Sequence, residues 1–214
     1  MSAPKFNAAA VERWTEDAYA DPEAYLAHRA ELIRLLGTPL ADGDRVLDLA
    51  CGDAGLAAFL LPHGLRYVGV DASEAMVEAA RARLGADAEI HLGTVDAYRP
   101  PGPVAATTIF RALYYAADRI AFFRHVASYT EKKLVFDLNP RQYRLDEIRD
   151  ELRLAGFGRL ETRPFLVPQT VSLPRPLLRA LVAGERVRLL SRMLLRWRFT
   201  YICVASTRPS SSDR

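Results

Sequence analysis

Cysteine is scarce in this 214-residue chain, limited to Cys51 and Cys203. Two thiols are too few for a disulfide framework, and no Cys/His cluster has zinc-ligand spacing, so a reducing, cytoplasmic setting and no structural metal are expected. The N-terminal stretch lacks the basic start, apolar core and small-residue cleavage site of a secretory signal, and no apolar run approaches the roughly 20 residues needed to cross a bilayer. A membrane span is therefore not expected. Lysine is nearly missing too: Lys5, Lys132 and Lys133 stand among 29 basic residues. With alanine abundant, that arginine preference reads as genome composition before any functional choice. Net charge is +3 with a pI near 9.0. The basic residues carry no interleaved aromatics beyond Trp197 and Phe199, which disfavours a nucleic-acid module. What is present, 50% hydrophobic and 26% charged residues, excludes wholesale disorder or a fibre. A chain of this length fits one core.

The positive charge is local. Arg175, Arg179, Arg186, Arg188, Arg192, Arg196 and Arg198 face a single acid, Glu185, giving that stretch +6 and the remainder −3. Leu177, Leu178, Leu181 and Val182, then Leu189, Leu190, Met193, Leu194 and Trp197, place one apolar face on each helical segment with arginine opposite. A solvated charged face over a packed stripe, a substrate lid or dimer surface, and peripheral attachment to an anionic membrane through 175–198 all fit this pattern.

Two helical patterns come first, one through Phe6, Ala10, Trp14 and Ala18 and one started by Asp21-Pro22. A buried strand follows at Arg45 to Leu49. Helix and strand then alternate: helix Gly55 to Leu61, strand Arg66 to Val70, helix Ser73 to Leu84, strand Ala88 to Leu92. Strand Thr107 to Phe110, helix Ile120 to Thr130, strand Lys133 to Leu138 and helix Arg144 to Ala155 continue the series. Such alternation implies βαβ units and a parallel sheet. Leu160 to Val167 and Trp197 to Ser206 read as strands with no crossover helix packed on the sheet, hence an antiparallel pair at its edge. The division expected is one domain over 1–214: a helical cap (1–40), an α/β core (41–167), an Arg-rich helical insertion (168–196), a final strand (197–206) and a flexible tail (207–214).

Chemistry concentrates at VLDLACGDAGLAAFL, Val46 to Leu60, where a buried strand runs through small residues into a helix. Ligands of open α/β sheets sit beyond the carboxyl ends of the strands, and Ala50, Gly52, Ala54 and Gly55 permit close approach to the backbone. About 20 residues on, Asp71 ends the next strand, where a carboxylate accepts ribose hydroxyls. A dinucleotide site wants G-x-G-x-x-G around a pyrophosphate, which Asp48 and Asp53 would repel. Those acids suit a ligand bearing an ammonium and a sulfonium. Packing of the strand–helix turn and a helix-capping role for Asp71 are the structural alternatives, with Ser73 an equal candidate for the cap. Cys51 reads as a small buried hydrophobe, and the four histidines are scattered.

These segments resemble class I S-adenosylmethionine-dependent methyltransferases of the small-molecule type: LDLACGDAG, YVGVDASEAMVEAAR and HLGTVDAY match the family's first three motifs in order. The resemblance, spanning Arg45 to Ser206, implies a Rossmann-like, doubly wound, mostly parallel seven-stranded sheet with an antiparallel edge strand and an N-terminal helical lid. It implies S-adenosyl-L-methionine as cofactor, with S-adenosyl-L-homocysteine as product. By resemblance, Ala50 and Gly52 line the methionine moiety, Asp71 holds the ribose, Ala72 and Met76 flank the adenine, and Val95, Asp96 and Ala97 border it. Ala50 and Ala54 replace frequent glycines, and they are expected to keep negative φ.

The acceptor side is expected around Arg111, Tyr114, Tyr115 and Asn139, with Tyr19 and Tyr25 of the lid facing it and Trp14 a further candidate. Arg111, at a strand's carboxyl end, is expected to meet a carboxylate of the substrate, of the cofactor or of the protein, and so is a candidate for binding cofactor as well as acceptor. Core packing of the tyrosines and lid aromatics is the equal competitor. No [D/N]-P-P-[Y/F] sequence follows the fourth strand, and Leu138-Asn139-Pro140 resembles it only faintly, which disfavours DNA-adenine and protein-glutamine acceptors. Without a placed histidine, tyrosine or water is the candidate base, and positioning suffices for an amine or carboxylate. The expected activity is in-line methyl transfer to a small oxygen, nitrogen or carboxylate acceptor by a monomer or homodimer. A lipid or quinone-like acceptor at a membrane and a noncatalytic cofactor-binding partner are the alternatives.

Overall fold

Side chains alternate along the central strands between two cores, and that alternation builds the sheet. Val46, Tyr67, Ala106, Val135, Ile202 and Val204 belong to one buried cluster, while Leu47, Val68, Leu134, Phe136, Cys203 and Ala205 belong to the other. A strand covered by helices on both faces needs apolar residues on both, which is why β1 (Arg45–Leu49) and β2 (Arg66–Asp71) read as continuous apolar runs. The computed structural model describes residues 11, 13–85, 88–139, 141–187, 189, 193 and 200–207. Expectations for Phe6, Ala10, Pro140, Arg188, Leu190, Arg192, Leu194, Arg196, Trp197, Arg198, Phe199 and the tail lie outside these residues.

Helices α1 (Trp14–Ala18) and α2 (Pro22–Leu35) precede the sheet. The start of α2 is set by Asp21, whose side chain accepts the Ala24 N–H, with Pro22 where a missing N–H costs nothing. After β1 come α3 (Ala57–Leu60), a short 3₁₀ turn over Leu61–His63, β2, α4 (Glu74–Leu84) and β3 (Glu89–Leu92). Then follow β4 (Val104–Ile109), α5 (Arg119–Ala127), β5 (Thr130–Leu138), α6 (Leu145–Ala155) and β6 (Phe157–Pro164). The last described elements are α7 (Arg175–Glu185) and β7 (Tyr201–Thr207).

The strands form one seven-stranded sheet in the order β3-β2-β1-β4-β5-β7-β6. The first five are parallel, and β7 runs antiparallel to both β5 and β6, so the last two strands make the antiparallel pair at the edge. Residues of α2, α3 and α4 contribute to the first core and residues of α5 and α6 to the second, which gives the doubly wound arrangement. Four strands differ from the sequence expectation by three residues or more, among them β7, which begins at Tyr201 where Trp197 was expected. β4 begins at Val104 and β5 at Thr130, each about three residues early, and β6 spans Phe157–Pro164 instead of Leu160 to Val167.

Two ties hold the helices that precede and follow the core. Lys133, fully buried, donates from Nζ to the Leu36 carbonyl (2.6 Å) beyond the C-terminus of α2, where a cation meets the negative end of the helix. Burial lowers its pKa to about 8. Glu185 at the end of α7 is also buried, pairing with His28 of α2 at 2.7 Å and accepting the Leu166 N–H at 2.6 Å. Leu178 and Val182 of α7 pack on the first core, while Leu177 remains exposed, as do Val187, Leu189 and Met193 beyond the helix.

Candidate functional site

Connections leave β1 toward β2 on one side, while the chain returns on the other side at β4, so the tips of these strands flank the switch point where an open α/β sheet has its crevice. The turn leaving β1 winds through three left-handed residues, Ala50 (φ +57°), Gly52 (+58°) and Ala54 (+56°). Negative φ at both alanines, the expectation from their side chains, is thus corrected. The local pattern demands left-handed backbone whether or not glycine supplies it, at a cost of roughly 1–2 kcal/mol for each alanine. The turn is bound down by the Cys51 N–H to the Val70 carbonyl (3.0 Å) and the Ala54 N–H to the Cys51 carbonyl (3.1 Å).

Asp71, at the tip of β2, reaches back to this turn. Its Oδ2 accepts the Gly52 N–H and its Oδ1 the Ser73 N–H, both at 2.9 Å. Ser73 is the residue before α4, and its side chain makes no capping bond. Desolvation raises the Asp71 pKa, opposed by backbone N–H groups of Ser73, Gly52 and Ala72. Each carboxylate oxygen keeps a lone pair beyond its backbone bond, enough to accept a further hydroxyl proton. Ala72 beside it is exposed, whereas Met76, one turn into α4, is buried at 2% exposure. Val95 is buried; Asp96 and Ala97 are exposed, and Asp96 Oδ2 accepts the Ala117 N–H at 3.1 Å.

Asp48 lies beneath the turn, inside β1, at 4% exposure. The Tyr67 hydroxyl donates to its Oδ2 (2.7 Å) and the Thr108 hydroxyl to its Oδ1 (2.6 Å). Burial nevertheless lifts its pKa to about 6, against the pull of those hydroxyls and of the nearby Arg29. Asp53 is engaged differently from the ligand-facing role expected of it. It accepts from the Thr15 N–H and hydroxyl, from the Gly55 N–H and from Arg83 at 2.7 Å. Arg83 also bonds Glu16 at 3.0 Å, so α1 is fastened to the turn from both sides. Trp14 lies over Gly52: a Cβ at that position would come within 3.2 Å of the indole. Gly55 faces Thr15 closely enough that any side chain there would displace it.

Across the switch point, at the tips of β4 and β5, a second group of side chains meets. Arg29 of α2, only 3% exposed, lies 4.2 Å over the Phe110 ring and 4.8 Å over Tyr25. Its guanidinium donates to the Tyr25 hydroxyl (3.1 Å) and the Tyr19 hydroxyl (3.4 Å). Tyr19 and Tyr25 stack at 4.3 Å, with Tyr25 buried in the first core and Tyr19 packed against it, the packing arrangement that competed with a pocket-facing one. Arg111 adopts a left-handed backbone (φ +53°) and meets a carboxylate through its amide, which donates to Asp137 Oδ1 at 2.7 Å. Its side chain is exposed and so escapes the burial cost that motivated the expected ion pair. Tyr114 and Tyr115 are exposed, their rings 4.4 Å apart on the 3₁₀ turn Leu113–Tyr115. Desolvation and the Tyr115 hydrogen bond push Tyr114 up to about 12, which weakens it as a base at neutral pH. Asn139 accepts the Arg141 N–H through its side chain and serves the turn after β5.

Sequence reasoning missed two members of this group, Arg29 and Asp137. Charged residues on an amphipathic helix and within a strand read as solvated positions. The one available signal for Asp137 was its place near the carboxyl end of β5.

Residues 46–133 match the model of a methyltransferase domain family. No curated protein matches the chain. Among solved structures, it is similar to a chain from the complex between the Haloferax volcanii Trm112 methyltransferase activator and a methyltransferase. That pair shares 21% identity over 97% of this chain and 100% of the other, with a TM-score of 0.66. A TehB-like S-adenosylmethionine-dependent methyltransferase from Corynebacterium glutamicum aligns at TM-score 0.64 and 11% identity, over 94% of this chain and all of that one. Phosphoethanolamine N-methyltransferase 2 of Haemonchus contortus, solved with phosphomonomethylethanolamine and S-adenosylhomocysteine, aligns at 0.59 and 16% identity, over 96% of this chain and 61% of its own. The domain match runs from β1 into β5, and the chain as a whole shares the Rossmann-like, class I methyltransferase fold of these solved structures.

Proposed function

We propose that the protein transfers a methyl group from S-adenosylmethionine to a small-molecule acceptor. The observation that carries this reading is the Asp71 carboxylate, held at the β2 tip by the Gly52 and Ser73 amides beside a left-handed turn. The donor set fits an adenosyl cation: Asp71 has lone pairs left for two ribose hydroxyls, and Asp48 lies under the turn as a buried carboxylate that a positive ligand would favour in its charged form. Ala50 is partly exposed, whereas Gly52 is buried beneath Trp14, which a ligand approaching that backbone would displace; Ala72, Val95, Asp96 and Ala97 lie around the β2 and β3 ends where an adenine would rest. Met76, buried, supports that edge from below.

Bound there, the cofactor supplies a methyl group on a sulfonium, open to in-line displacement. The protein's share is alignment and exclusion of water, and proximity of this kind is worth roughly 7–11 kcal/mol of barrier. Trp14 and Thr15 pack on the turn, and in this reading α1 is the lid that must lift to admit the ligand. Titration calorimetry with S-adenosylhomocysteine tests the reading. The wild type should bind, and Asp71→Ala should lose about 1–3 kcal/mol, a roughly five- to 150-fold weakening. Equal binding by both would remove its basis. Binding without turnover over a broad acceptor panel would favour a noncatalytic cofactor-binding partner.

A second reading, a lipid or quinone-like acceptor reached at a membrane, draws on one observation. Leu177, Val187, Leu189 and Met193 are exposed near the exposed Arg175, Arg179 and Arg186. Basic residues near an anionic surface gain about 1 kcal/mol each. Flotation with vesicles containing phosphatidylserine should carry the protein upward if this holds; protein remaining at the bottom of the gradient would remove the reading.

A further inference from the structure

Asp137 stands one residue before the end of β5, half-buried. Among the described residues, the donors its carboxylate meets are backbone N–H groups, chiefly that of Arg111 at 2.7 Å. The strained Arg111 backbone fixes that bond, so the carboxylate is oriented by a conformation that itself costs about 1–2 kcal/mol. A carboxylate has about four lone-pair sites, and most of this one's remain for a ligand. Arg29 lies within electrostatic reach, buried among Tyr25, Phe110 and other rings, and its Nε–H has no partner. A guanidinium held this deep needs a counter-charge, and Asp137 and Asp48 are the carboxylates whose ionised forms it favours.

Strand order makes the position telling. Neighbouring strands lie about 4.8 Å apart, so the tips of β2, β1, β4 and β5 form a row in which Asp137 is roughly 10 Å from the turn that leaves β1. Asp71 and the turn occupy the cofactor end of that row, and Asp137 and Arg29 occupy the other. Arg29 covers the rings of Tyr25 and Phe110, and beside them the exposed Tyr114, within electrostatic reach of Asp137, offers a flat apolar face. Such a face stacks a ring, and the carboxylate near it takes a hydrogen-bond donor on that ring.

Resting on the methyltransferase reading above, we propose that Asp137 is the acceptor-side proton-binding group, and that the acceptor is a ring-borne hydroxyl or amine whose O–H or N–H donates to it. As the acceptor's lone pair forms the new bond to the methyl carbon, the carbon–sulfur bond breaks and its electron pair stays on sulfur, leaving a neutral thioether. The acceptor's proton passes to Asp137, which returns it to solvent. Arg29 is a positioning residue that keeps this carboxylate ionised until then.

The test uses the full chain saturated with S-adenosylhomocysteine, with phenol, aniline and anisole as probes in ligand-observed NMR titrations. Phenol and aniline should bind at least tenfold more tightly than anisole, which lacks the donor. Asp137→Asn should bring phenol down to the level of anisole while leaving S-adenosylhomocysteine affinity within about twofold. Should the single variant fail to fold, the charge-neutral pair Arg29→Gln with Asp137→Asn carries the same comparison. Anisole binding as well as phenol, no binding of any probe, or phenol binding unchanged in a folded variant would overturn the proposal. Failure of the wild type to bind S-adenosylhomocysteine would instead strike the underlying methyltransferase reading, and this proposal with it.

Discussion

Replacing Asp48 by Asn should make the protein more stable and a worse binder. The carboxylate sits at 4% exposure with Tyr67 and Thr108 hydroxyls on it, and burial holds its pKa near 6 against an ordinary 3.8. A folded-state pKa above the unfolded one means that the contribution to stability is fully present below pH 3.8 and is lost as pH rises through 6. At pH 7 the fold therefore bears the ionised group at a cost of about 3 kcal/mol, each tenfold step in proton affinity being worth roughly 1.4 kcal/mol. Asn keeps the shape, and both hydroxyls can rotate to suit an amide. It gives up the favourable field of Arg29, so the net gain at pH 7 should be about 1–2 kcal/mol. Urea denaturation at pH 7 and pH 5 reads this directly: the advantage of Asp48→Asn should shrink at pH 5, where the wild-type carboxyl is largely protonated. Calorimetry reads the other half. Wild-type affinity for S-adenosylhomocysteine, which keeps the ammonium, should fall below pH 6 by up to about tenfold per unit, and the Asp48→Asn variant should show a flat, weaker profile. A variant that is less stable at pH 7 yet binds as tightly as wild type would refute both the burial cost and the placement of the cation.

Three shorter tests bear on other parts of the fold. Thr15→Val removes the hydroxyl that bonds Asp53 and should raise the association rate of S-adenosylhomocysteine severalfold, followed by stopped-flow Trp fluorescence; an unchanged rate would mean that α1 does not guard the turn. Ala50→Gly should relieve about 1–2 kcal/mol of left-handed strain against about 0.4–1 kcal/mol of added chain entropy, leaving thermal stability equal or slightly higher. A clear loss would argue against the positive φ. Lys133→Met should abolish an alkaline rise in stability that the wild type shows above about pH 8, where the buried ammonium sheds its proton and its burial cost, as followed by denaturation between pH 7 and 10.

The parallel core was legible because its strands are apolar on both faces and its turns are punctuated. Asp21-Pro22 announced α2, and Gly156, left-handed at φ +106°, closed α6 where the periodicity ended. β4 began earlier than read because VAAT offers small and polar residues that carry little strand signal, though every one is buried. β6 was placed too late for the opposite reason: its FGRLETRP sequence is edge-like and only partly buried, and the apolar residues just after it drew the assignment forward. At the site, Asp71 and the turn were readable from short-range spacing. The engagement of Asp53 by Thr15, 38 residues away, and the convergence of Arg29 with Phe110 and Asp137 are products of tertiary packing, which no local pattern encodes. The left-handed alanines were hidden because alanine gives no sign of its own φ.

The slot occupied by β7 has a bearing on biogenesis. This strand lies latest in sequence of the seven, yet it fills the gap between β5 and β6, pairing Leu134 with Ala205 on one side and Leu160 with Ala205 on the other. During synthesis, both flanking strands must wait with bare ladder groups until residues near 201–207 clear the ribosome, a window in which intermolecular pairing competes with completion. Translation arrest or proteolysis just ahead of Tyr201 should therefore yield a sticky intermediate rather than a trimmed protein.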